Sequence, residues 1–184
     1  MLDAAALTDL TLVSLDDVPP FDEAPETGAT FEDNALAKAR DGFAATGLPT
    51  VADDSGLEVA ALNGMPGVLS ARWAGAHGED AANTALLLAQ LRDVPDERRS
   101  AAFVSACALV SESGEVVVRG EWRGAIAREP RGDAGFGYDP VFIPDGEART
   151  AAQLTSAEKD AMSHRGRALA LLLPSLRALA AQAH

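Results

Sequence analysis

Residues Ala101–Val110 read Ala-Ala-Phe-Val-Ser-Ala-Cys-Ala-Leu-Val, an apolar run far too short to cross a bilayer as a helix. After Ser-Glu-Ser-Gly the chain resumes at Glu115–Trp122 with three successive valines. Two such runs around a short polar link that ends in glycine predict a hairpin-like strand pair. Around that pair the pattern alternates. Thr30 with Asp33 three residues on resembles a capping box, and Phe31–Arg40 continues in good helix formers until Gly47. Leu10–Leu15, Thr50–Ala52 and Leu57–Leu62 predict strands, the last closed by Asn63-Gly64, a turn signal. Asp80–Arg92 predicts a helix with an apolar face from Ala81, Leu87, Leu88 and Leu91. Gly124–Glu129 and Pro140–Ile143 read as further sheet, with the Gly-rich segment Arg131–Asp139 between them. Thr155 with Glu158 predicts a second cap, and Arg165–Ala181 a long terminal helix. Strands and helices mixed in 184 residues predict one α/β or α+β domain.

Charge narrows the partners. With 28 Asp+Glu against 15 Lys+Arg, the net charge of −13 argues against bulk nucleic acid or an anionic membrane, which need cationic surface. A small polyanion held by a metal and a few local cations remains compatible. No apolar run reaches the length of a membrane span, and there is no leader-like start, so the expectation is a cytoplasmic protein. The one cysteine, Cys107, sits inside the apolar run as a buried small hydrophobe. Only two of the cations are lysines, Lys38 and Lys159, which draws attention to Lys159 in a polar corner with Ser163, His164 and Arg165.

Four segments have the residue types for chemistry. Asp53-Asp54-Ser55-Gly56 follows a buried strand and predicts a sharp acidic corner. One carboxylate there can hold a hard divalent cation and the next orient or deprotonate a water; an Asx turn with solvated charges fits the motif equally. Glu26, in Glu26-Thr27-Gly28, can join Asp54 on such a cation, or stand as a solvated loop acid. Gly135-Phe136-Gly137-Tyr138-Asp139 places rings between glycines, where the backbone can approach a flat ligand and a ring can stack on a base; a Gly-rich turn with Phe136 capping the core is the alternative. The Lys159/His164/Arg165 corner offers donors for carbonyl or phosphate oxygens, or is simply a solvated helix start.

These segments stand in an order that resembles one family. Glu-Thr-Gly-x-Thr-Phe-x-x-Asn-Ala-x-x-Lys-Ala-Arg (Glu26–Arg40), Ala-Asp-Asp-Ser-Gly-Leu (Ala52–Leu57), Pro-Gly-Val-x-Ser-Ala-Arg (Pro66–Arg72), Gly-Phe-Gly-Tyr-Asp-Pro-x-Phe (Gly135–Phe142) and Ser-His-Arg-Gly (Ser163–Gly166) are similar to the inosine triphosphate pyrophosphatases. The resemblance implies a mixed central sheet with flanking helices, two lobes around a nucleotide cleft, and a homodimer. It implies Mg²⁺-dependent hydrolysis of ITP, dITP and XTP to the monophosphate and pyrophosphate, which clears them from the nucleotide pool. By the same resemblance Asp54 is the general base and a metal ligand, with Glu26 and Asp53 assisting the metal. Ser55 touches substrate, Phe136, Gly137, Tyr138 and Asp139 form the base pocket with Phe136 stacking, and Lys159, His164 and Arg165 present donors to the base. Inosine and xanthine carry an O6 acceptor where adenine carries an amino donor, so a donor-lined pocket rejects ATP.

The resemblance also departs. Family members begin with a strand and a Ser/Thr-x-Asn-x-x-Lys loop that grips the triphosphate, and nothing before Glu26 matches it. The expectation is a domain lacking that strand and loop, with Met1–Leu7 as the tail of the first helix. A purine-nucleotide-binding relative with little or no turnover is then the alternative. A septum-formation-inhibitor (Maf-like) pyrophosphatase is a third reading, against which the Gly-Phe-Gly-Tyr-Asp and Ser-His-Arg blocks argue.

Overall fold

A computed structural model describes residues 10–21 and 25–182, so the expectation for Met1–Leu7 lies outside the described residues. The elements run α1 (Phe31–Thr46), β1 (Thr50–Val59), α2 (Asp80–Gln90), β2 (Ser100–Ser111), β3 (Gly114–Ile126), β4 (Phe142–Pro144), α3 (Ser156–Met162) and α4 (His164–Gln182). The strands form one sheet in the order β1-β2-β3-β4. A mixed sheet was expected, but every pairing between these strands is antiparallel, with β2 and β3 joined by the tight turn at Ser111–Gly114.

The caps lie where residue chemistry puts them. Thr30 Oγ1 accepts from the Asp33 backbone N–H at 3.1 Å, and α1 ends on Gly47 at φ 70°. Thr155 and Glu158 make the full reciprocal box before α3. Ser163 Oγ then accepts the Gly166 N–H, so α4 starts at His164, one residue before the expected start.

Three strand expectations change. Leu10–Leu15 is not a strand: only Leu15–Asp17 is ordered into a 3₁₀ turn, and Leu12 and Leu15 are exposed. Thr50–Ala52 and the start of Leu57–Leu62 are one uninterrupted strand, β1, with a 3₁₀ turn at Ala60–Leu62. The acidic motif is therefore mid-strand rather than a corner, because Asp53–Gly56 are paired residue by residue with Cys107, Ala106, Ser105 and Val104 of β2. Pro140 lies in a 3₁₀ turn (Asp139–Val141), and β4 begins only at Phe142.

Strand parity sorts the core. In β2 the even residues Val104, Ala106, Ala108 and Val110 pack with Phe31, Ala35 and Ala39 of α1. The odd residues Cys107 and Leu109 pack with Ala168, Leu172 and Leu176 of α4. Phe103, also odd, joins Trp122, Phe142, Leu57 and Leu87 in a third cluster. Burial at about 1.5–3 kcal/mol for each large side chain holds a helix against each face. Gly120 lets α4 come close: a Cβ there would overlap the His164 carbonyl and the Ala168 backbone.

Candidate functional site

On β1, neighbouring side chains must point to opposite faces. Asp54 pairs with Ala106 and so faces α1; Asp53 pairs with Cys107 and faces α4. The two adjacent carboxylates therefore project from opposite faces of the sheet.

On the α1 face, Asn34 and Lys38 lie one helical turn apart and both reach Asp54. Asn34 Nδ2 donates to Asp54 Oδ2 at 3.0 Å, and Lys38 Nζ to Oδ1 at 3.0 Å. The same ammonium lies 2.6 Å from Glu26 Oε1 and donates to the Asp53 carbonyl at 3.3 Å. Arg72 approaches Glu26 Oε2 at 3.5 Å and His77 Nε2 at 3.3 Å. The Glu26 loop is fixed in turn by Asn34 Oδ1, which accepts the Gly28 N–H at 2.8 Å. Asp54 is buried and Glu26 half-buried. Hydrogen bonding to Lys38, opposed by burial and assisted by Arg72, holds the Glu26 carboxyl below its ordinary range. Burial works against the Lys38 ammonium, but its bonds to Glu26 and Asp54 outweigh that and raise its pKa.

On the α4 face, Arg165 donates through Nε and Nη2 to Asp53 Oδ2 at 3.1 and 3.0 Å, and Ser55 Oγ donates to the same oxygen at 2.9 Å. Asp53 thus lies apart from the Glu26/Asp54 pair, which corrects the expectation that it assists a metal there. Ser55 likewise faces Asp53 rather than Asp54.

Arg165 also borders a cavity of about 280 Å³ with Phe136, Lys159, Ser163 and His164 in its wall. Phe136 is 69% exposed, and the Lys159 ammonium sits 4.8 Å from its ring centroid. Lys159 is anchored by Asp139, which is buried and also accepts the Phe136 N–H at 2.9 Å. Gly135, at φ 80°, is required because a Cβ would collide with that carboxylate. His164 stacks on Phe103 at 5.1 Å and 15°, and its buried Nδ1 has no hydrogen-bond partner among the described residues. Burial, with Arg165 and Lys159 close by, lowers its pKa to about 4, so it is neutral near pH 7.

The expected base loop is only partly at the cavity. Phe136 lines it. Tyr138 instead turns inward, its hydroxyl donating to the Ser70 carbonyl at 2.8 Å, and burial pushes its pKa far up. The Gly137 N–H is taken by Asp80 Oδ2 at 2.7 Å, and Asp139 acts through Phe136 and Lys159. Sequence reasoning missed Lys38, Asn34 and Arg72 as site residues. The available signal was the scarcity of lysine and the i, i+4 spacing of Asn34 and Lys38, which puts both on one helix face. No group of three or more His, Cys, Asp or Glu gathers as a metal centre among the described residues.

Residues 1–175 match the Ham1 family. The dITP/XTP pyrophosphatase of Mycolicibacterium paratuberculosis is 82% identical over 181 residues, covering 98% of this chain and 89% of that protein. Its counterpart in Mycobacterium tuberculosis strain H37Rv is 80% identical over 180 residues, covering 98% and 88%. Among solved structures, a nucleoside-triphosphatase, dITP/XTP pyrophosphatase, from Mycobacterium abscessus is 69% identical with a TM-score of 0.82, covering 95% of this chain and 90% of that one. The Staphylococcus aureus Ham1 protein, 38% identical, superposes at a TM-score of 0.87 over 96% and 92%.

Proposed function

The chain belongs to the Ham1 family, and from that premise we propose that it hydrolyses the non-canonical purine nucleoside triphosphates ITP, dITP and XTP to the monophosphate and pyrophosphate. The observation that carries the reading is the Asp54 carboxylate, buried yet gripped at both oxygens by Asn34 and Lys38, with Glu26 on the same ammonium. A carboxylate oriented by two donors keeps lone pairs free for a water, which suits a general base. Asp54 takes the proton of the attacking water. Asn34 fixes the plane of the carboxylate. Lys38 holds both acids in place and is the cation available to the phosphate oxygens.

Mg²⁺ typically takes one or two carboxylates and leaves its other positions to water and phosphate, so Glu26 and Asp54, converging on a single cation, fit such an ion. Bound there, Mg²⁺ supplies charge neutralisation and alignment of the polyphosphate. Asp53, on the other face of β1, has no part in that ligand set.

The purine lies in the cavity beside Phe136, where stacking contributes about 1–3 kcal/mol. Lys159 and Arg165 offer donors to O6. The amino group of adenine would meet donors there, and a site built around one such bond rejects its absence by roughly 10⁴–10⁵. Arg165 links the two halves of the site, since it borders the cavity and bonds Asp53, the chain neighbour of Asp54. A homodimer in the cytoplasm completes the reading; sedimentation of the purified chain checks the assembly.

The experiment is pyrophosphate release from ITP, XTP, GTP and ATP with and without Mg²⁺. Selective, Mg²⁺-dependent multiple turnover of ITP or XTP is expected. Tight nucleotide binding with no product over long incubation would replace the enzyme by a nucleotide-binding relative.

A further inference from the structure

Away from the Asp54 and Phe136 sites, a second cavity of about 400 Å³ opens between α2 and the end of β3. Its wall is Ala85, Leu88 and Ala89 from α2 together with Arg92, Arg99 and Arg128. Three arginines around one cavity stand out in a chain of net charge −13.

The arginines are not equivalent. Arg99 is 2% exposed and donates through Nε, Nη1 and Nη2 to the carbonyls of Ile126, Leu91 and Ala127 at 2.7, 2.6 and 2.7 Å. Those carbonyls are neutral, and no carboxylate lies within ion-pair distance of Arg99 among the described residues. A guanidinium has five N–H groups and stays charged, so Arg99 is a buried cation with donors to spare and, among the described residues, no carboxylate in direct contact. Burial first, and Arg128 second, disfavour its charge, and the more distant Asp96 offsets them only in part. Arg128 is held by Asp96 Oδ1 at 2.7 Å and donates to the Arg92 carbonyl at 3.1 Å. The Asp96 side chain is 78% exposed, and so exposed an ion pair exchanges readily for a phosphate. Arg92 is exposed at the rim.

We propose that the cavity lined by Arg92, Arg99 and Arg128 is a second anion site that takes a phosphate-type oxyanion, free or carried by a nucleotide. Planar guanidinium forks match the oxygen geometry of phosphate, and the apolar α2 wall accepts whatever the phosphate carries. The occupied site neutralises the buried charge of Arg99. The same helix reaches the Gly137 backbone through Asp80 Oδ2 and Thr84 Oγ1, so α2 has the purine-pocket loop at one end and this site along its side.

The test follows backbone amide resonances of the intact chain during separate titrations with inorganic phosphate, pyrophosphate and inosine monophosphate at constant ionic strength. Saturable shifts at Ala85–Arg92 are expected, with affinity falling at least tenfold in an R92Q/R128Q variant of unchanged melting temperature. Saturation by phosphate and pyrophosphate alike assigns a free oxyanion; saturation by inosine monophosphate alone assigns a nucleotide. Shifts that never saturate, that sodium chloride reproduces, or that persist in the double variant overturn the proposal. Resonances of Asp54 and Phe136 report the other site separately, and the readout does not depend on turnover.

Discussion

Lys38 Nζ lies 3.0 Å from Asp54 Oδ1, an ion pair made between the buried face of α1 and the middle of β1. It joins two segments that have no local reason to meet, and it depends on α1 packing Ala35 and Ala39 onto the even residues of β2.

Asp54→Asn keeps the shape and, through its one amide oxygen, a single one of the Asn34 and Lys38 contacts, and it cannot accept a proton. Pyrophosphate release should fall by about 10²–10⁴ with the melting temperature within a few degrees of the parent. Unchanged turnover would remove Asp54 as the base.

Lys38→Met leaves Glu26 and Asp54 facing one another without their shared cation. A partly buried pair broken on one side costs about 1–3 kcal/mol, and the Glu26 pKa should return upward. Denaturation in urea and carboxyl NMR titration read these two effects. An unaltered Glu26 titration would show that Arg72 alone sets it.

Phe136→Ala removes a ring that is 69% exposed, so folding stability should hardly change. The loss of about 1–3 kcal/mol of stacking should appear as a KM for ITP raised roughly 5–150-fold. A melting temperature lowered with KM intact would make Phe136 part of the core instead.

His164 has a folded pKa of about 4, below the 6.5 of an unperturbed histidine. The unfolded chain therefore binds the extra proton first as pH falls. The stabilisation is fully present above pH 6.5 and is lost as pH drops through 4, about 3 kcal/mol in all. His164→Leu replaces the ring stack with an uncharged apolar contact on Phe103 and should flatten stability across that window. Parallel curves for parent and variant would mean that His164 is not buried neutral.

Gly120→Ala would push α4 off β3, because the new Cβ meets backbone rather than a movable side chain. A loss of about 1–3 kcal/mol is expected from overpacking, and with it a displaced His164. A loss below about 0.5 kcal/mol, the range of ordinary surface substitutions, would show that the helix yields freely there.

Local chemistry made much of this legible in advance. The Thr30 and Thr155 caps, the Gly47 stop and the hairpin turn each follow from a few neighbouring residues, and each lies where those residues imply. Where the structure departs from local chemistry, pairing is the cause. Asp-Asp-Ser-Gly predicts a corner because those residues favour turns, yet β2 offers it a complete ladder of partners and ladder pairing outweighs the local preference. Leu10–Leu15 has strand composition, but no described strand pairs with it.

Residue order alone sets the Thr30 and Thr155 caps, the hairpin, the apolar runs that become the core, and the ordered motifs that mark the family. Which face of the sheet each acid takes is a matter of packing. Whether Asp53 and Asp54 share a face depends on β1 running unbroken, for then a single residue step turns the side chain to the other side of the sheet. Lys38 and Arg99 were likewise decided by packing. A long cationic side chain is solvated unless distant segments close around it, and here Glu26 and Asp54 do so for one, and the carbonyls of Leu91, Ile126 and Ala127 for the other.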